Sequence, residues 1–228
     1  ASLPNVRLML RTTIIGAFDH GIYGAVERVS DHLAVPMAGK PRQVLWRIYS
    51  QRAILAAGAT ERPIAFENND RPGIMMAGAL RAYANRWGVK AGERVAVFTN
   101  NDDGLRTASD LQAKGVEVVA VVDSRQGEEV IDTKGKLGLK AITIRDAAGR
   151  TRTVAVDALG VSGGWNPNVN LHSHHRSRPL WNDDIAAFVP GADGPPGLSV
   201  AGAALGHMST HGALMSGRDA AVAALGLT

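Results

Sequence analysis

Thr99, Asn101 and Gly104 stand at the three glycine places of a dinucleotide-binding turn, within the stretch RVAVFTNNDDGLRTASDLQAKGVEVVAVVDSR from Arg94 to Arg125. In such a turn the first glycine makes the bend, the second lets a pyrophosphate approach the backbone, and the third lets helix and strand pack closely. Only the packing glycine, Gly104, is kept. The Asn101 side chain would occupy the pyrophosphate position, and Asp102 and Asp103 add negative charge at a helix N-terminus, where an anion would otherwise sit. An Asp there can cap the free N–H groups itself, so the helix start survives without the ligand. Asp123 holds the place of the acid that accepts from ribose hydroxyls. The unit reads as a βαβ scaffold whose nucleotide site is weakened or vacant.

Three further stretches put small residues at strand ends, where backbone can come close to a ligand: AILAAGATERP (Ala53 to Pro63), ALGVSGGWNPN (Ala158 to Asn168) and LSVAGAALGHMSTHG (Leu198 to Gly212). Catalytic candidates are poor, and none is assigned. His172, His174 and His175 in LHSHHRSR have no carboxylate at metal-ligand spacing, lie in a polar loop and are followed by Arg176 and Arg178, so no metal is expected. A G-x-S-x-G nucleophile turn is absent.

The elements that must position these residues alternate between strand and helix. A strand or strand pair is expected over Val6 to Ile15, and strands over Gln43 to Tyr49, Arg52 to Ala56, Arg94 to Phe98, Glu117 to Val122, Lys140 to Arg145, Arg152 to Val156 and Ala158 to Val161. Asp19 to Ser30 reads as a polar, Gly-containing segment. Helices are expected from Met75 to Trp87, from about Gly104 to Lys114, and from Thr210 to Leu225.

Composition narrows the class. With 228 residues, 45% of them hydrophobic and 20% charged, the chain has material for a sizeable core. No cysteine is present, which excludes disulfides, thiolate nucleophiles and Cys-ligated metals. The net charge of +4 is modest and its Lys and Arg are not interleaved with aromatics, so no nucleic-acid partner is expected. No apolar run is long enough for a bilayer and no signal pattern opens the sequence, so a cytoplasmic protein without membrane contact is expected.

The passages RTTIIGAFDHG (Arg11 to Gly21), LWRIYSQRAILAAGATERPIAFENNDRPGIMMAGALRAYANRWGV (Leu45 to Val89), FTNNDDG with VVDSR, and VAGAALGHMSTHGALMSG (Val200 to Gly217) resemble the two-dinucleotide-domain flavoproteins of the disulfide-reductase type. Within that group they look most like the α subunits of heterotetrameric sarcosine oxidases, with NNDRPGIM and TNNDDG the most specific motifs. The resemblance implies an α/β, FAD/NAD(P)-binding disulfide-reductase-like fold with an incomplete first Rossmann domain (1–70 and 158–228) and an inserted, degenerate second one (71–157). The intact G-x-G-x-x-G unit of the family lies upstream of the segment matched here, so a fragment of a longer chain is expected.

The family holds NAD in the first domain, which would put Thr13, Ile14, Gly58, Gly202, Ala203, Ala204, Met208 and Thr210 against the cofactor. Relatives carry Gly-Asp where this chain has Gly202-Ala203. Losing that carboxylate removes the acceptor for a flavin ribityl hydroxyl and fits a ligand other than FAD. The helix from Thr210 would aim its N-terminus at phosphate. FAD, FMN and tetrahydrofolate are expected elsewhere in a complex with a β-type subunit that oxidatively demethylates sarcosine. The alternatives are a subunit of an opine, proline or cyanide-forming amine oxidoreductase, or a non-catalytic assembly module.

Overall fold

The computed structural model of the chain describes residues 3–226, which form two compact units, Ala1–Ala59 with Pro167–Thr228, and Thr60–Asn166. The inserted unit is wider at both ends than the 71–157 expected from sequence. Its extra strand at 158–162 pairs within the inserted sheet, so the ladder hydrogen bonds decide where it belongs.

The first unit opens with a three-stranded antiparallel sheet, β1 (Thr12–Phe18), β2 (Ile22–Arg28) and β3 (Gln43–Tyr49), with β2 in the middle. Two expectations are corrected here. The strand begins at Thr12 rather than Val6, because Arg11 takes a left-handed φ of 53° that interrupts the extended chain. Leu8 and Leu10 upstream are 77% and 68% exposed. The segment read as polar, Asp19 to Ser30, contains β2, whose Gly24 and Ala25 are buried against its two partners. Strand β4 (Ala53–Leu55) follows, and the chain leaves this unit through β5 (Ala59–Glu61).

The second unit is built on four parallel strands. Strand β6 (Ile74–Met76) leads into helix α1 (Ala77–Trp87), so Met75 and Met76 belong to a strand and not to the helix expected over them. Strand β7 (Arg94–Thr99), helix α2 (Asp102–Ala113) and strand β8 (Glu117–Asp123) form the unit anticipated from the glycine spacing. Next come β9 (Glu129–Lys134), β10 (Ala141–Arg145), β11 (Thr151–Ala155) and β12 (Ala158–Ser162). The parallel sheet has the order β6-β12-β7-β8, and β9 to β11 form an antiparallel layer with β10 in the middle. Every residue of β12 is buried, as expected for a central parallel strand covered on both faces.

The core sits in this unit. On one face Phe98, Val122, Leu159 and Val161 pack with Val130, Ile142 and Ile144 of the antiparallel layer. On the other, Val95 and Ala158 pack with Leu80 of α1 and Leu111 of α2. The result is a sheet between a helical layer and a β layer. Helix α1 lies so close to β12 that a Cβ at Gly160 would come within 2.5 Å of Leu80 Cδ1 and 3.3 Å of Ala77 Cα.

The chain returns through β13 (Trp165–Pro167) to the first unit. The segment read as a polar histidine loop holds a short helix, α3 (Asn170–Ser173), followed by a hairpin of β14 (Leu180–Asn182) and β15 (Ala187–Val189). Strand β16 (Leu198–Val200) pairs in parallel with β4, and helix α4 (Thr210–Leu225) closes the described chain. Among the described residues no helix is long and apolar enough to cross a membrane.

Candidate functional site

The dinucleotide turn of the second unit is occupied by its own side chains. In the second unit, Thr99 at the end of β7 is buried, and its hydroxyl donates to the Asn101 carbonyl (2.9 Å) and accepts from the Asn101 N–H (3.1 Å), which closes the bend that a glycine would make. Asn101 is the N-cap of α2. Its Oδ1 accepts from the N–H groups of Asp103 (3.0 Å) and Gly104 (3.3 Å), and its Nδ2 donates to the carbonyl (3.1 Å) and hydroxyl (3.2 Å) of Ser162 at the end of β12. The helix N–H groups that bind phosphate in a working turn are therefore satisfied by the protein itself. Asn101, not an Asp, does the capping. Gly104 is retained for packing, since a Cβ there would collide with the Thr99 side chain.

The ribose place is filled as well. Asp123 is 5% exposed and accepts from the guanidinium of Arg125 (2.8 Å) and from its backbone N–H (3.1 Å). Hydrogen bonding by Arg125 holds the Asp123 carboxyl below its ordinary range. Arg125 also reaches Asp102 at the start of α2 (2.7 Å), so one cation ties the ribose-side acid to the phosphate-side helix. Asp103 accepts from Trp165 Nε1 (3.0 Å) and pairs with Arg106 (3.1 Å).

Glu61 completes this cluster and was not foreseen from sequence. Its carboxylate accepts from the Gly78 N–H (2.9 Å) in the first turn of α1, where the N-cap, Met76, offers no side-chain acceptor. Burial pushes its carboxyl up, opposed by hydrogen bonds from Ser162 and Gly78. Only the fold brings Glu61, Asn101 and Asp103 around Ser162 and Trp165.

In the first unit two strand ends carry glycines. Gly58 follows β4, Gly202 follows β16, and the two strands are paired, so both glycines lie at the same end of the pair. Gly58 (φ 72°) and Gly202 (φ 68°) have the left-handed backbone that a side chain disfavours. A Cβ at Gly58 would meet nothing within 4 Å, and one at Gly202 nothing closer than Ala213 at 3.6 Å. The Asn168 side chain donates to the Ala57 carbonyl beside Gly58 (2.9 Å) without entering the space a Cβ at Gly58 would take. The Gly202 N–H donates to Ser216 Oγ (3.1 Å) on α4, which fixes the turn to the helix.

Ala203 and Ala204 lie in the single helical turn after Gly202, with Ala204 buried and Ala203 half-buried. Met208 is 39% exposed. Thr210 is the first residue of α4 and is exposed, while the cap is Ser209, whose Oγ accepts from the Gly212 N–H (3.0 Å). Thr13 and Ile14 stand on β1, an edge strand of the separate antiparallel sheet. The structure thus gathers Gly58 with Gly202, Ala203 and Ala204 at one strand-pair end, and places Thr13 and Ile14 on another sheet.

The histidines have individual structural partners. His172 is buried against Ser177 (Nδ1 to Oγ, 2.8 Å), and desolvation holds its pKa below the ordinary value. His174 Nδ1 accepts from the Ala17 N–H (3.2 Å), pinning the α3 segment to β1. His175 Nδ1 lies 3.6 Å from Asp19.

No protein-family model matches the chain. It is 46% identical over 218 residues to the sarcosine oxidase subunit alpha of Rhizobium meliloti (strain 1021), an alignment covering 89% of this chain and 22% of the relative. To that of Corynebacterium sp. (strain P-1) it is 39% identical over 240 residues, covering 94% and 25%. The chain thus spans about a quarter of the length of these relatives.

Among solved structures it is similar to L-proline dehydrogenase from P. horikoshii (TM-score 0.66, 24% identity, 85% of this chain and 36% of that one). It is similar also to Lactococcus lactis thioredoxin reductase (TM-score 0.61, 12% identity, 94% and 75%). Across 89–94% of its residues, then, the chain is similar to a segment of sarcosine oxidase alpha subunits, and its fold is the mixed α/β fold of FAD/NAD(P)-binding, disulfide-reductase-like proteins.

Proposed function

We propose that this chain serves in the alpha subunit of a sarcosine-oxidising flavoenzyme, where the first unit forms part of an NAD site and the second is a scaffold that no longer takes a nucleotide. The observation carrying this reading is the contrast between the turn of the second unit and the glycine bends of the first. Asn101, Thr99 and the Arg125 bridge fill the turn from within, whereas a Cβ at Gly58 or Gly202 would meet nothing closer than 3.6 Å. Gly58, Gly202, Ala203 and Ala204 would let the backbone approach the pyrophosphate, with Met208 and Thr210 beside it at the start of α4 and Thr13 and Ile14 on the adenine side. Ala203 offers no carboxylate to a ribityl chain, which favours NAD over FAD at this place.

Bound NAD would supply a nicotinamide dinucleotide to the complex. The residues of this chain bind and orient it, and none is placed as an acid, base or nucleophile. FAD, FMN and tetrahydrofolate would be held elsewhere in the assembly, with a β-type subunit as partner and sarcosine, oxygen and tetrahydrofolate as reactants in a cytoplasmic heterotetramer. The filled turn of the second unit also supports a docking role for that unit. Equilibrium titration of the full-length subunit with NAD tests the reading. Saturable binding is expected, and its absence would leave only the assembly role.

A further inference from the structure

At the opposite end of the β4 and β16 pair from Gly58 and Gly202, a cleft of about 790 Å³ opens in the first unit. Its floor is Ser50, Gln51 and Arg52, which precede β4, and Gly197, which precedes β16. The hairpin tip Asp19–Gly21 forms one wall. This volume is that of a small-molecule site.

Three features mark the cleft as more than a surface irregularity. Ser50 Oγ and His175 Nε2 are buried and have no hydrogen-bond partner, although buried polar atoms are nearly always paired. Both belong to residues that line this one cleft. Arg52 also lines it and forms no ion pair among the described residues.

The cleft is held open by its own geometry. His20 at the hairpin tip has a left-handed φ of 60°, and the tip is tied down by a hydrogen bond from the Ser50 N–H to the Gly21 carbonyl (2.9 Å). Asp19 lies 3.6 Å from His175 Nδ1, beyond hydrogen-bond distance, and Nε2 of the same ring is unpaired. The Asp19 carboxylate is 89% exposed, so solvent screens it from the cleft.

We infer that this cleft binds a small organic anion, with its carboxylate or phosphate taken up by Arg52, Ser50 and His175 and its apolar part against Phe18, Tyr23, Pro195 and Pro196. A guanidinium is the natural partner for either oxyanion. Ser50 Oγ and His175 Nε2 are closed to water at the cleft wall, so the head group meets Arg52 first and reaches the other two by local side-chain rotation. The site lies at the far end of the strand pair from the NAD turn, so it is occupied independently of that cofactor.

Calorimetric titration of the full-length protein with benzoate, phenyl phosphate and the neutral isostere benzamide tests the inference. Benzoate or phenyl phosphate is expected to bind saturably at about 1 mM or tighter, and benzamide at least about tenfold more weakly. Tighter binding of one anion assigns the head group as carboxylate or phosphate. Arg52→Gln, an exposed position, should weaken the preferred anion at least about tenfold, and Ser50→Ala should weaken it less, with NAD affinity unchanged in both. Equal binding of benzamide, no saturation by either anion, or an unchanged affinity in Arg52→Gln would each overturn it.

Discussion

Replacing Asn101 by alanine removes both halves of the device that fills the second unit's turn. Its Oδ1 caps the N–H groups of Asp103 and Gly104, a contribution of about 1–2 kcal/mol for an N-cap. Its Nδ2 bonds to Ser162 add about 1 kcal/mol net. The sum, about 2–3 kcal/mol, falls on local opening of the first turn of α2, so the Asp103 and Gly104 amides should exchange hydrogen about 30- to 160-fold faster. Asn101→Asp separates the halves. It keeps the acceptor but turns a carboxylate toward the Ser162 carbonyl, so it should lose about 1–2 kcal/mol while leaving the cap in place. Hydrogen exchange followed by mass spectrometry reads both variants. Less than about threefold acceleration in Asn101→Ala would show that the turn is not held by this side chain.

Further expectations concern the titrating groups and the core. Glu61 has a raised pKa, so the folded state binds its proton more tightly than the unfolded chain, and the stability it contributes is lost as pH rises above the ordinary glutamate value of 4.5. Glu61→Gln should therefore gain in melting temperature relative to the parent as pH rises from 4 toward neutrality, and a flat difference would contradict the burial argument. Asp123 behaves oppositely: its lowered pKa contributes stability above the ordinary value of 3.8 that is lost in acid. The penalty of Asp123→Asn should accordingly be largest near neutral pH and shrink below 3.8 in melting curves. Gly160→Ala, which drives a methyl into Leu80 and the α1 backbone, should cost about 1–3 kcal/mol in urea unfolding, and a neutral outcome would mean that α1 can shift.

What the sequence disclosed depended on periodicity and spacing. VAVF and ALGV are unbroken apolar runs of the kind buried parallel strands require, and the β7, α2, β8 unit lies where Gly104 and the following polar helix put it. EVIDTK was missed as a strand because its charged residues blur the alternation, and the strands of the 180–189 hairpin are only three residues long. The departure of the second turn from the glycine pattern was legible in Thr99 and Asn101. How it is filled was not, because Ser162, Arg125 and Glu61 reach it through the fold. The first-unit candidates were readable only through family resemblance, and the structure groups just Gly58 with Gly202, Ala203 and Ala204.

The most direct test of the account is the NAD affinity of the full-length protein with Ala203→Asp compared with Arg125→Gln. A carboxylate at Ala203 would add a side chain and a negative charge beside an already anionic dinucleotide and should weaken NAD at least about tenfold, whereas opening the Arg125 bridge should leave the affinity unchanged. Loss of NAD binding in Arg125→Gln with none in Ala203→Asp would place the nucleotide in the second unit and contradict the account.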